Sequence, residues 1–130
     1  VQARHAMKTL QFAVLALALG SSTGMANDCS GPDAPSLPDG ATASMEDMLA
    51  GQKAIKAYQA ANLEYMGCLE EEFTAAEAAA LASSSEDDKK AAQTTYQEAV
   101  DAYNAAVSQE EEIAGQFNTE IREYKAANPG

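Results

Sequence analysis

Residues 44–82 read SMEDMLAGQKAIKAYQAANLEYMGCLEEEFTAAEAAALA, a proline-free run broken only by Gly51 and Gly67. Its apolar or neutral positions are Met48, Gly51, Ile55, Tyr58, Asn62, Tyr65, Leu69, Phe73 and Ala76. They alternate in steps of three and four, which lays one stripe along one face of an α-helix. Alanine, the strongest helix former, fills much of the remainder. Ser44 can cap the start, with Asp47 three residues on as a capping-box partner.

Ser83-Ser84-Ser85 then interrupts the pattern. Either Ser83 with Glu86 or Ser85 with Asp88 makes a second capping box. Glu86, Asp87 and Asp88 sit where a helix N-terminus favours negative charge. A second helix over 86–127 carries the stripe Ala92, Tyr96, Ala99, Tyr103, Ala106, Glu110, Ile113, Phe117, Ile121 and Tyr124. The tail 128–130, Asn-Pro-Gly, ends it. The prediction is an all-α chain: a coiled-coil-like antiparallel hairpin of two helices, each near 60 Å long at about 1.5 Å per residue.

The two stripes fix a register. With the turn centred on Ser84, facing residues have numbers summing to about 168. Ile55 then meets Ile113, Met48 meets Ile121, Tyr65 meets Tyr103 and Leu69 meets Ala99. Gly51 leaves room for Phe117. Glu46 lies near Arg122, Lys56 near Glu112 and Glu77 near Lys90. Glu110 opposes Tyr58, whose hydroxyl can donate to it. A heptad slip preserves part of this pattern.

Residues 27–43 form a separate proline-rich arm. Pro32, Pro35 and Pro38 exclude helix and favour an extended path. Pro38-Asp39-Gly40 reads as a turn in which glycine accepts positive φ. Cys29 and Cys68 are the only cysteines. The arm can reach back along the first helix, so a Cys29–Cys68 disulfide is expected; free thiols or an intermolecular bridge are the rivals. Gly67 would let the arm come close. Closing that loop stabilises by about 3–4 kcal/mol in the chain-entropy model.

The start of the chain carries an export signal. Residues 1–6 read as a start-site artefact. Residues 7–26 read as a signal peptide: Lys8 is the basic region, Leu10–Leu19 the apolar region and Gly24-Met25-Ala26 the cleavage site, so the mature chain begins at Asn27. The apolar region is short for a bilayer span, although an uncleaved anchor is the rival reading. The periplasm is the expected location, with secretion as the alternative, and the mature chain is expected to have no membrane span.

All twenty acids lie after residue 26, against six bases, which gives residues 27–130 a net charge of −14. That surface repels nucleic acid and anionic lipid. Leu, Ile, Val and Phe are sparse enough there for disorder to compete, but their helical spacing argues for structure. His5 precedes the leader, so the mature chain has no His-based triad and no His-containing zinc site. Glu70-Glu71-Glu72 and Glu110-Glu111-Glu112 point in successive directions about 100° apart and cannot converge on one ion. Met45, Met48 and Met66 read as core filling rather than soft-metal ligands. The tyrosines read as packing residues with hydroxyls at the rim. No catalytic, cofactor-binding or metal-binding residue is expected.

Leu37-Pro38-Asp39-Gly40, then Met48, Gln52, Ile55-Lys56, Tyr58, Tyr65 and Cys68-Leu69, resembles a group of small exported proteobacterial proteins. These share an upstream cysteine, an (I/L)-P-D-G turn, M-x-x-x-Q-x-x-(I/V)-K-x-(Y/F) and Y-x-x-C-(L/I). The likeness covers Cys29 to Leu69. It implies an exported hairpin with paired cysteines and carries over no catalytic or ligand residue. The functional expectation is a non-enzymatic protein mediating protein–protein contacts in the bacterial envelope, with a partner protein or with itself as a homodimeric four-helix bundle. A periplasmic holdase-type chaperone or stress protein is the alternative.

Overall fold

Ser44 starts the first helix in the way its spacing predicts. Its Oγ accepts from the Asp47 N–H at 3.1 Å, and its own N–H donates to Asp47 Oδ2 at 3.2 Å. A computed structural model describes residues 29–130. The expected start-site segment 1–6, the leader 7–26 and the cleavage point before Asn27 lie outside the described residues. Helix α1 spans Met45–Ala82 and helix α2 spans Glu86–Ala127, packed antiparallel as a hairpin. Between them Ser85 is the cap used: its Oγ accepts from the Asp88 N–H at 3.4 Å. Asn128 closes α2 by donating its backbone N–H and its Nδ2 to the Tyr124 carbonyl, at 3.0 and 2.9 Å.

The buried face of α1 carries Met48, Gly51, Ile55, Tyr58, Asn62, Met66, Leu69 and Ala76. That of α2 carries Ala99, Ala106, Ile113 and Phe117. Towards the open end, Met48, Ile55, Tyr58, Ile113 and Phe117 form one cluster, backed by Leu37 and Ala43 from the arm side. Towards the loop end, Phe73 sits edge-on to both Tyr96 and Tyr103, with centroids 5.9 and 6.0 Å away. Edge-to-face aromatic pairs add to plain burial, so three rings offset the shortage of aliphatic residues there.

Two expectations need correction. Tyr65 is not in the helix–helix seam; Met66 is buried there instead. Tyr65 packs against the arm, where a Cβ on Gly31 would lie 3.1 Å from its ring, and Tyr103 pairs with Phe73. The two positions straddle the edge of the stripe, and the arm attracts the larger aromatic. Met45 is 57% exposed and is not core filling. Of the expected charge partners, Arg122 donates to Thr119 and Glu112 accepts from Gln116, each within α2. Side chains three and four residues apart are neighbours on one helix surface.

Candidate functional site

Local chemistry shapes the arm before it docks. Asp39 accepts the Ala41 N–H on Oδ1 at 3.0 Å, and its carbonyl accepts the Thr42 and Ala43 N–H groups. This turn delivers the chain to Ser44. Upstream, the disulfide Cys29–Cys68 joins the arm to the middle of α1, with 5.7 Å between the Cα atoms. From there the arm runs back along α1 past Tyr65 to Gly51. A Cβ on Gly51 would lie 2.8 Å from Pro38 Cδ and 3.2 Å from Phe117 Cε2. Gly51 thus makes room for Phe117 as expected, and for the arm as well. Gly67 has open space around it and plays no part in the approach.

Gly40 then crosses to the other helix. Its N–H donates to Glu120 Oε2 at 2.7 Å. A Cβ there would come within 2.7 Å of the Glu120 carbonyl carbon and 3.0 Å of its Cα. The glycine is needed for this contact and not for positive φ, which among the described residues only Gly130 adopts. Backbone therefore lies on backbone, and the arm ties the open ends of both helices together.

This crossing gathers carboxylates. One oxygen each from Asp39, Glu120 and Glu123 lies within 4.8 Å of the others. The Glu120 charge raises the Glu123 carboxyl above its usual 4.5; a hydrogen bond to Glu120, partial desolvation and the Asp39 charge push the same way. The Gly40 N–H offsets some of the negative charge on Glu120. Sequence spacing alone could not find this trio, because Asp39 reaches it only through the arm's path.

A second polar feature lies inside the seam. Asn62 is 1% exposed, and its Nδ2 donates to the Ala106 carbonyl at 3.2 Å and to Glu110 Oε2 at 3.4 Å. The pairing of Asn62 with Ala106 is the register expected from the stripes. Glu110 is therefore engaged by Asn62 and not by Tyr58. The Tyr58 hydroxyl is buried rather than at the rim, with no partner among the described residues. Burial first, then the Glu110 charge, pushes this phenol above its ordinary 10.0.

The flank of α1 away from Cys68 is different in character. Met45 and Leu49 are each 57% exposed, Leu63 68% and Leu81 82%. At the open end Met45, Met48, Leu49, Phe117, Ile121 and Tyr124 line an apolar groove of about 320 Å³, rimmed by Gln52 and Lys125. Among the described residues no helix is long and apolar enough to cross a membrane. The disulfide is compatible with an oxidising compartment. Comparison with protein families, with curated proteins and with solved structures returns no match.

Proposed function

We propose that this is a non-enzymatic exported protein whose hairpin mediates protein–protein contacts, or self-association, in the bacterial envelope. One observation carries the reading: an arm braces one side of the hairpin while large apolar side chains stand exposed on the other. Met45, Leu49, Leu63 and Leu81 have no role in the described core. Exposed apolar residues aligned on one face are what a docking surface requires.

The charges support the same reading. Of the three carboxylates that converge, Glu120 accepts the arm's Gly40 N–H and Asp39 shapes the arm's own turn. Export to the periplasm rests on the leader at 7–26 and fits the disulfide. The likeness to small exported proteobacterial proteins points the same way and adds no chemistry.

The exposed leucines also suit a holdase that covers unfolded clients. Two measurements separate the readings. A photo-crosslinking residue in place of Leu49, introduced in the producing cell, should give a discrete adduct on the mature protein. An aggregation assay with an unfolded client should show no protection at equimolar protein. Protection without a discrete adduct would favour the chaperone reading, and neither adduct nor protection would remove both.

A further inference from the structure

We infer that the partner on the exposed flank is a second copy of this chain, docked antiparallel about a two-fold axis that passes Leu63. This rests on the contact-protein reading above and names its partner. Met45, Leu63 and Leu81 are spaced by eighteen residues, which is five full turns, so they form a straight line along α1. All three are more than half exposed. On α2 the positions Val100, Val107, Ala114 and Ile121 recur every seven residues and remain half-buried. Ile121 shares the open-end groove with Met45, and Tyr96 shares a loop-end notch with Leu81, so the apolar line runs the length of one face.

The choice of a second copy comes from symmetry of two kinds about one residue. A two-fold axis at Leu63 maps Met45 onto Leu81, apolar onto apolar. The same axis maps Lys56 onto Glu70, cation onto anion. Through the hairpin register it crosses α2 near residue 105. Self-complementarity of this kind is what an isologous interface needs. Leu49 falls opposite Glu77, where it can lie along the carboxylate's aliphatic stem. A parallel docking would instead set the two Glu86-Asp87-Asp88 triplets side by side. The area is sufficient: two helices of about 57 Å, packed about 9 Å apart, offer on the order of 1,000 Å² per copy, above the size of a casual contact. The arm lies on the opposite flank and stays clear of the interface.

Purified, oxidised protein should sediment at twice the chain mass, falling to one chain on dilution. Leu63→Cys should form a disulfide-linked dimer on mild oxidation, because the axis brings position 63 onto itself; Leu81→Cys should not. Leu63→Lys should abolish the dimer while circular dichroism shows the same helix content. Lys56→Glu repeats its like-charge clash at two symmetric places and should weaken association about tenfold. Adding Glu70→Lys to it should restore the wild-type affinity, which a general loss of folding would not permit. A monomer at all concentrations would overturn the inference. So would efficient self-crosslinking at 81 as well as at 63, which indicates parallel docking. If the protein is monomeric yet the crosslinker at Leu49 captures a different protein, self-docking fails while the contact-protein reading stands.

Discussion

The Gly40 N–H donates to the Glu120 side chain across 80 residues of sequence, and the glycine lies flat against the Glu120 backbone. One hydrogen bond and one missing side chain thus join the arm to the far helix. The disulfide acts at the other end of the arm, on α1. Between them the hairpin's open end is braced on both helices.

Gly40→Ala tests the brace. Its Cβ meets backbone atoms of Glu120, which cannot rotate aside as a side chain can. The arm must lift, losing the hydrogen bond as well. The expected loss is about 1–3 kcal/mol, measured by thermal or denaturant unfolding of the oxidised protein. An unchanged midpoint would show that the arm is not seated there.

Gly51→Leu sets two effects against each other. In an exposed helix position, leucine for glycine stabilises by nearly 1 kcal/mol through propensity. Here the new side chain meets Pro38 and the Phe117 ring, and overpacking costs about 1–3 kcal/mol. Packing should win and the melting midpoint should fall. A clear rise would mean that this face is open.

Both glycines show which contacts a sequence can announce. The gap at Gly51 opposite Phe117 was legible because both residues sit on periodic stripes, and a small residue facing a large one is a readable match. The pairing of Asn62 with Ala106 followed from the same register. Gly40 on Glu120 was not legible, since the arm has no period and its partner lies far along the chain. Tyr65 was misplaced because a stripe says which face is covered, not whether a helix or an arm covers it. The Tyr58 hydroxyl was misassigned because Asn62, one turn further on, takes the carboxylate first.

Tyr58→Phe should be neutral or stabilising, by up to about 1 kcal/mol, because it removes a buried hydroxyl without a partner. The phenol also confers an alkaline sensitivity. Its folded pKa lies above the unfolded value of 10.0. As pH rises through 10 the unfolded chain loses a proton that the folded chain keeps, so stability falls with pH there. In a spectrophotometric titration one of the five tyrosines should ionise later than the rest, and Tyr58→Phe should remove that late step.

Glu123→Gln tests the carboxylate trio at acid pH. The folded pKa of Glu123 is raised, so above 4.5 the unfolded chain releases its proton before the folded one does. Stability therefore declines as pH rises from 4.5 through the folded pKa, and levels off above it. Glu123→Gln should remove this part of the pH dependence and melt higher than wild type at neutral pH. Parallel wild-type and variant curves across that window would show that Glu123 feels no such repulsion.

The register of α1 on α2 underlies the seam, the Asn62 hydrogen bonds and the position of the outer face alike. It is tested most directly by cysteines at Ile55 and Ile113, two members of one buried cluster, with the native Cys29–Cys68 bridge left in place. Mild oxidation followed by mass spectrometry of the digested protein should yield a crosslink between positions 55 and 113 within one chain. Failure at 113, with efficient pairing of 55 to a cysteine placed one heptad away at Ala106 or Glu120, would contradict the account.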